Sequence, residues 1–566
     1  MSTRLPPSRR LLAAAWLLAG LVELALAMGT ADPPTGLQLL RELGLLAAVG
    51  LAHTSWAPQD WKGSPAWPAA ALLMAVFLRV GTLSPAGQVG RFAIVVAVAV
   101  VGVRVAHDLL RRLPRAPATV VLILLAGLSA RLAALQTAPV AEPFQRLGEQ
   151  LAAPFHRAPA ATATGPALIV LSIDTLRADR ARTMHTWKRL AARGATWDQA
   201  MSTASWTLPA LSSVWTGLPP AEHGAGKVAG GGFSAIRPQV PLLAEELRDQ
   251  GYETAAFVVN PFVASELGLR RGFSTWSNAD ESPSHPLLFL GPRSPPRGRD
   301  GARGVDRALG WLAHAPDQGF LLWIHLFDPH VPYTHATDPL ATDVPEITRL
   351  IERTATASPE RRAALTAAYD AEVAYDDAQL QRVLDALEAR GLLDRAVVVF
   401  LSDHGEELWD HGGYEHGHSH HTEVVDGSLA VVAPGLAPGP RSGVASLVDV
   451  APTLRAAAGL PPRGLDLRQG VPPGRIATAA GNLYGEVQQS ARSTRRKVIL
   501  TQGAQGAQGE QVELYDPLAD PTEQQPLPPE PEAPELAAAR SALPATETTA
   551  AKANTEALRA LGYIEP

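Results

Sequence analysis

From residue 167 onward, short runs of consecutive apolar residues alternate with longer stretches in which apolar residues recur at helical spacing. Apolar runs of this length are typical of strands that are buried on both faces. The runs lie at 167–173, 255–259, 320–326, 396–401 and 429–434, and the helical stretches include 241–250, 305–313 and 359–393. This alternation predicts an α/β fold with a mostly parallel sheet sandwiched by helices.

The first 135 residues have a different pattern. Five apolar stretches follow one another at 11–28, 37–53, 67–81, 92–106 and 118–135. Each is close to the about 20 residues that cross a bilayer, so they predict about five transmembrane helices. Arginines precede the first stretch and separate the fourth from the fifth, which predicts that both regions are cytoplasmic. We therefore expect a multi-pass protein of the cytoplasmic (inner) membrane, in contact with membrane lipid, whose remaining residues are extracytoplasmic.

Two alternatives concern this region. Cleavage at Ala25-Leu26-Ala27, which resembles a signal-peptidase site, would leave four crossings and the same extracytoplasmic placement. Glu23 and scattered arginines in the stretches would also fit a polar transport pathway, although side chains near segment ends can reach the interface instead.

Composition restricts the chemistry. The 566-residue chain contains no cysteine, which excludes disulfides and thiolate metal sites. Any metal must therefore be bound by Asp, Glu, His or hydroxyl groups. The formal charge of −6 is spread thinly, and no block of Lys or Arg predicts a nucleic-acid partner.

Polar residues that could bind a metal follow three of the apolar runs. Asp174 follows the first run, Asp328 and His330 follow the third, and Asp403 and His404 follow the fourth. The carboxyl ends of parallel strands meet at one edge of a sheet, where ligands bind. We therefore expect these side chains to converge at that edge.

A hydroxyl group lies on a segment that leads into a predicted helix. This segment, TLPALSSVWTG, begins at Thr207. A hydroxyl is a poor nucleophile at neutral pH, and metal coordination activates it while neutralising the oxygens of an ester. As structural alternatives, Asp174 could cap a helix and Thr207 could merely begin one. Because all the motifs occur together and in order, the sequence favours a metal-centred ester-cleaving site.

Several motifs resemble those of the sulfatase family within the alkaline phosphatase superfamily, in the family's order. They are IDTLRAD (173–179), TLPALSSVWTG (207–217), PPAEHG (219–224), VVNPFVASELGLRRGFSTW (258–276), HLFDPHVPY (325–333), YDAEVAYDDAQL (369–380), FLSDHGEEL (400–408), EHGHSHHTE (415–423), LVDVAPTLRAAAGLP (447–461), ELYDPLADPTEQ (513–524) and ALRALGYI (557–564). The resemblance covers nearly all of 167–566 and implies a catalytic domain at 167–460 and a small α+β C-terminal part with a Pro-rich surface segment at 461–566. The apolar stretches predict a membrane domain at 1–135, and the Pro- and Ala-rich composition predicts a linker at 136–166.

The resemblance also implies roles for individual residues. Asp174, Asp403 and His404 would hold one divalent metal ion (Ca, Mg, Mn or Zn), and Thr207 would be the nucleophile and touch the same metal. His330 resembles the histidine that contacts the transferred group or protonates the leaving oxygen. His418 resembles a second residue that binds this group.

The sequence departs from the family in two of its motifs. Sulfatases carry Cys or Ser in a Cys-x-Pro-Ser-Arg signature that is oxidised to formylglycine, whereas this chain has Thr207 and, at the arginine position, Leu211. Formylglycine is therefore not expected. A threonine nucleophile resembles the phosphodiesterases and phosphoethanolamine-type transferases of the superfamily. Thr175 replaces the second acid of the usual Asp-Asp pair, which leaves one carboxylate ligand fewer.

Two hypotheses follow for the function. The first is a membrane-anchored, metal-dependent hydrolase or transferase that acts on sulfate or phosphate esters, with a lipid- or glycan-linked substrate. The second is a catalytically inactive sulfatase-like binding or scaffold protein, which Thr175 and Leu211 suggest and which the retained acids and histidines oppose.

Overall fold

The computed structural model describes residues 162–228, 231–278, 301–351, 353, 355–502 and 509–545. The expected membrane domain, nearly all of the expected linker and the motif at 557–564 lie outside these residues. Within the described part of the chain, no helix is both long and apolar enough to cross a membrane.

Nine strands of the described residues form one mixed sheet in the order β12-β2-β11-β8-β1-β7-β5-β6, with β13 also paired to β2. Strand β11 is antiparallel to both β8 and β2, and the other pairings are parallel. The strands of this sheet are β1 (Leu168–Ile173), β2 (Ala195–Met201), β5 (Glu253–Val258), β6 (Thr275–Asn278), β7 (Phe320–Leu326), β8 (Val397–Ser402), β11 (Asp426–Val432), β12 (Gly439–Pro440) and β13 (Ala445–Ser446). Two short hairpins, β3 (Gly226–Lys227) with β4 (Phe233–Ser234) and β9 (Glu407–Leu408) with β10 (Tyr414–Glu415), lie outside it.

The central strands are apolar at nearly every position because both faces of the sheet are covered. In β1, Leu168 and Val170 belong to one hydrophobic core, whereas Ile169, Leu171 and Ile173 belong to the other. Successive side chains of a strand point to opposite faces. Strands β7 and β8 flank β1 in parallel register, so the three strands end at the same edge.

Helices cover both faces of the sheet. They are α1 (Ala178–Ala181), α2 (His185–Ala191), α3 (Thr207–Thr216), α4 (Pro220–His223), α5 (Leu243–Asp249), α6 (Gly301–Leu312), α7 (Pro339–Thr342), α8 (Val344–Ile351), α9 (Pro359–Ala389), α10 (Thr422–Val425), α11 (Val450–Ala457) and α12 (Pro534–Ser541). Helices α3, α5 and α11 pack on one core, and α2, α6 and α9 pack on the other. Helix α9 begins after Ser358, whose side chain accepts a hydrogen bond from the Arg361 backbone N–H at 3.2 Å.

The C-terminal part has its own antiparallel sheet. Its strands, which pair in chain order, are β14 (Ala477–Ala480), β15 (Gln488–Arg492), β16 (Lys497–Gln502) and β17 (Glu510–Tyr515). Helix α12 packs on this sheet through Leu536 and Ala539, which contact the cluster that includes Val498, Leu500 and Leu514. This part therefore has an α+β arrangement.

Candidate active site

The site is built at the edge where β1, β7 and β8 end. Asp174 follows β1, and its backbone N–H donates to the Leu326 carbonyl at 2.9 Å. Thr207 is the first residue of α3, and its Oγ1 donates to Asp174 Oδ2 at 3.0 Å. The same oxygen lies 3.3 Å from His404 Nε2. The predicted nucleophile is therefore in contact with two of the predicted metal ligands.

Asp403 and His404 follow β8. His404 Nδ1 lies 2.9 Å from the Gly405 carbonyl, and because a carbonyl only accepts, Nδ1 carries the proton and Nε2 keeps its lone pair. This Nε2 lies 3.6 Å from Asp403 Oδ2 and 3.8 Å from Asp174 Oδ1. Burial lowers the pKa of His404 to about 3, so the ring is the neutral imidazole that metals bind.

The residues present fit a divalent metal. Ligand atoms of Asp174, Asp403 and His404 lie within 4.8 Å of one another. Asp174 Oδ1 and Asp403 Oδ2 are buried and have no hydrogen-bond partner among the described residues. Burying two carboxylates beside the lone pair of His404 Nε2 costs free energy unless a positive charge compensates for it. Burial and the negative charge of Asp174 accordingly raise the pKa of Asp403.

The turn after β1 is strained at Thr175, one of the positions that depart from the family pattern. Its φ of 55° is in the left-handed region, which β-branched residues rarely adopt. The side chain is buried, and its hydroxyl has no hydrogen-bond partner among the described residues. The Tyr369 hydroxyl donates to the Thr175 carbonyl at 2.8 Å and holds this turn. Such strain is typical of functional turns and costs about 1–3 kcal/mol.

Asn260, which was not among the site residues predicted from the sequence, hydrogen-bonds the Asp174 carboxylate and orients it. Its Nδ2 donates to Asp174 Oδ2 at 2.5 Å, and its Oδ1 accepts from the Phe262 backbone N–H at 2.8 Å, which fixes the amide orientation. Nδ2 also lies 3.2 Å from His325 Nε2, and His325 Nδ1 lies 2.9 Å from Ser172 Oγ. Burial opposes the ionisation of Asp174, but the neighbouring histidines His325, His404 and His330 together outweigh it and lower the pKa of the carboxyl. Asn260 directly follows an apolar run, which is the signal that identified Asp174.

A second buried group borders the first. Ligand atoms of His330, Glu415 and His416 lie within 4.8 Å of one another, so these residues could also hold a cation or contact an anionic substrate group. The His416 ring centroid lies 4.4 Å from that of His404 and 4.9 Å from that of His330. His416 Nδ1 lies 3.1 Å from Glu406 Oε1, and its Nε2 has no hydrogen-bond partner among the described residues. Burial raises the pKa of Glu415 to about 8, so this carboxyl holds a proton at neutral pH.

The structure does not bring His418 into either group. Its Nε2 lies 2.7 Å from Glu407 Oε2, and its Nδ1 lies 3.3 Å from the His416 carbonyl. The histidine that contacts His404 is instead His416, two residues earlier. The sequence could not separate the two, because both lie in the same histidine-rich segment.

Comparisons with known proteins identify the family. The sequence model of the sulfatase family matches residues 166–460, more than half of the chain. A low-salt glycan biosynthesis sulfotransferase, Agl7, of Haloferax volcanii is 27% identical over 282 residues, which are 48% of this chain and 57% of that protein. Choline-sulfatase of Rhizobium meliloti is 33% identical over 97 residues, 16% of this chain and 18% of that protein. The chain thus spans 57% of the first relative and less than a fifth of the second.

Solved structures have the same fold. A 2-O GAG sulfatase superposes with a TM-score of 0.52 at 18% sequence identity and covers 66% of this chain and 90% of its own. The fold, the ordered motifs and the matched sequence agree, and the chain belongs to the sulfatase family.

Proposed function

We propose that this protein is a membrane-anchored, metal-dependent enzyme that transfers the sulfuryl or phosphoryl group of an ester to Thr207 and then to water or a second alcohol. The observation that carries the proposal is the position of Thr207 Oγ1, 3.0 Å from Asp174 Oδ2 and 3.3 Å from His404 Nε2 in a buried site. A merely structural threonine would not need two metal-ligand side chains around its hydroxyl.

The position of Thr207 suits a nucleophile. It begins a ten-residue helix, and the unpaired N–H groups and positive dipole end of a helix start favour an anion. Its hydroxyl hydrogen points toward Asp174 Oδ2, which can receive the proton as the oxygen attacks sulfur or phosphorus. The bond from the transferred group to the ester oxygen breaks as the bond to Thr207 forms.

Asp174, Asp403, His404 and Thr207 would hold the metal ion. When bound, such an ion lowers the pKa of a coordinated hydroxyl and neutralises charge on the oxygens of the transferred group. Asn260 keeps the Asp174 carboxylate oriented through its 2.5 Å hydrogen bond. Burial of these side chains excludes water, which strengthens every charge interaction in the site.

His330 and His416 are suited to the leaving oxygen. Both are buried within the same group, and the His416 ring lies next to the rings of both His330 and His404. A protonated imidazole at this place can donate its proton to the departing ester oxygen. Glu415, protonated at neutral pH, can donate a hydrogen bond to an oxygen of the transferred group.

The substrate is proposed to be a sulfate or phosphate ester on a glycan or lipid. The name of the Haloferax relative, a glycan biosynthesis sulfotransferase, supports a glycan acceptor, and choline-sulfatase supports hydrolysis of a sulfate ester. Attachment through the N-terminal apolar stretches would hold the site at the outer surface of the cytoplasmic membrane, within reach of lipid-linked substrates.

Turnover by the full-length protein in detergent tests the proposal. The probes are 4-nitrophenyl sulfate, 4-nitrophenyl phosphate and bis(4-nitrophenyl) phosphate, each with Ca²⁺, Mg²⁺, Mn²⁺ or Zn²⁺. We expect Thr207→Ala to lower kcat at least about 1,000-fold, because the nucleophile is lost. Mass spectrometry of the quenched wild-type enzyme should find the sulfo or phospho group on the peptide that contains Thr207.

Thr216→Ala is the matched control, since Thr216 lies on the same helix, where its hydroxyl donates to the Ser212 carbonyl at 2.7 Å and accepts from the Leu218 backbone N–H at 3.3 Å. Its turnover should stay within a few-fold of the wild type. Turnover that survives Thr207→Ala would reject the nucleophile. Absence of turnover and of cation binding by calorimetry would favour the scaffold hypothesis, which Thr175 and Leu211 motivate.

A further inference from the structure

A group of buried acids lies apart from the two groups of the candidate active site. We call it the acid cluster, and it consists of Asp328, Glu372, Asp376 and His335. Asp328 is 2% exposed, and Glu372 and Asp376 are fully buried. Ligand atoms of Asp328, His335 and Glu372 lie within 4.8 Å of one another.

The acids come from different elements. Asp328 follows β7, and both of its oxygens accept from the Gly301 backbone N–H that begins α6, at 3.3 and 3.1 Å. Glu372 and Asp376 are four residues apart on α9 and so share one helix face. Glu372 accepts from the His335 backbone N–H at 2.7 Å and contacts the imidazole of the same residue.

The surroundings of the Asp376 carboxylate are a second, independent indication of a bound ligand. Neither of its carboxylate oxygens has a hydrogen-bond partner among the described residues, although the side chain is fully buried. The Asp376 carboxylate points toward Gly301, because a Cβ added to this glycine would lie 2.9 Å from Asp376 Oδ1 and 2.6 Å from Asp328 Oδ2. The two carboxylates therefore converge above the same glycine.

This arrangement is electrostatically incomplete. Asp377, the residue after Asp376 on α9, is also buried, but it accepts hydrogen bonds from the backbone N–H groups of His185 and Thr186 at 2.7 and 2.8 Å, which compensate for its burial. Neither oxygen of Asp376 accepts a hydrogen bond from a backbone N–H among the described residues, and the group beside it is the like-charged Asp328 carboxylate. Three carboxylates confined together out of water repel one another unless protons or a cation neutralise them.

We propose that the acid cluster binds a second divalent cation, separate from the candidate active site, through Asp328, Glu372, Asp376 and the exposed edge residue His335. Three carboxylates with one imidazole suit a hard cation such as Ca²⁺ or Mn²⁺. His335 is 32% exposed in its side chain, which gives the cation an entry path. The cation would tie α9 and the start of α6 to the loop that carries His330, two residues after Asp328.

Cation binding by the full-length protein in detergent tests this inference. The protein is stripped with EDTA, and Ca²⁺ or Mn²⁺ is titrated by calorimetry in an Asp403→Asn background that disables the candidate active-site metal. We expect one equivalent to bind to Asp403→Asn, and binding at least about tenfold weaker after the further change Asp376→Asn. Added cation should raise the Tm of Asp403→Asn but not that of the double variant.

Asp370→Asn is the matched control. Asp370 lies on the same helix, but its carboxylate pairs with Arg180 at the surface, so this change should leave the stoichiometry unaltered. His335→Ala, at the exposed edge of the cluster, is a second variant that should weaken binding without a buried substitution.

Equal cation binding with and without Asp376 would overturn the proposal, as would the absence of any bound equivalent in Asp403→Asn. In either case, protons shared among the acids, and not a cation, neutralise the cluster, and Asp376→Asn should not lower the Tm. The same titration detects failure of the proposed function separately. If the candidate active site binds no metal, the wild type will bind no more equivalents of cation than Asp403→Asn.

Discussion

His416 and His418 are two residues apart, yet their side chains have different surroundings. His416 is buried between the rings of His330 and His404, whereas His418 pairs with Glu407. If His416 acts on the leaving oxygen or the transferred group, His416→Ala should lower kcat at least about 100-fold. His418→Ala should leave kcat within a few-fold of the wild type and lower the Tm, because Glu407 loses its partner. The measurement is kcat and Tm of both variants with the nitrophenyl ester that the wild type turns over.

The reverse result, with an inactive but folded His418→Ala and an unaffected His416→Ala, would contradict this assignment. The sequence indicates which segment supplies the histidine but not which ring faces the site. The backbone conformation determines which ring faces the site, because the positive φ of 75° at Glu415 changes the direction of the chain just before these histidines. Residues directly after central strands, such as Asp174 and Asp403, are easier to predict because the strand fixes their place.

At the scale of elements, the apolar runs predicted the central strands to within a few residues. The run at 320–326 coincides with β7, and the run at 396–401 is shifted by one residue from β8. Strand β2 was missed because its sequence, ATWDQAM, alternates apolar with polar residues and lacks a continuous apolar run. Its pairing with β11, and the antiparallel direction of β11, depend on contacts between distant segments that no local pattern encodes.

Strand β8 provides a test of what holds this sheet together. Phe400 is fully buried, and its ring makes an edge contact with Trp187 of α2, with centroids 5.9 Å apart. Phe400→Ala should lower the free energy of unfolding by about 3–5 kcal/mol, because the removed ring leaves a cavity between sheet and helix. Urea unfolding, followed by tryptophan fluorescence, measures the change.

Leu340→Ala is the control for this substitution, since Leu340 is 37% exposed and its loss should change the free energy of unfolding by less than about 0.5 kcal/mol. A Phe400→Ala protein as stable as this control would mean that the helix can close the cavity.

At the scale of the whole molecule, charged hydrogen bonds join the C-terminal part to the main sheet. Arg492 of β15 is buried and contacts the Asp426 carboxylate at the start of β11. His411, in the loop after β9, lies between the two parts: its Nδ1 is 2.8 Å from Glu423 Oε1, and its Nε2 is 2.9 Å from the Glu523 carbonyl. Both acceptors require a donor, so the imidazole is protonated at both nitrogens.

This junction predicts a loss of stability at alkaline pH. Burial lowers the pKa of His411, but the hydrogen bond and charge of Glu423 outweigh it and raise the pKa from 6.5 to about 9. A raised folded-state pKa means that protonated His411 stabilises the fold fully below pH 6.5, and that this contribution disappears as the pH rises through about 9. The Tm difference between the wild type and His411→Gln should therefore be largest near pH 6 and vanish above about pH 9, measured by scanning fluorimetry across this range. The exposed His314→Gln variant controls for general effects of pH, and a Tm difference for His411→Gln that is constant with pH would show that His411 is neutral in the folded protein.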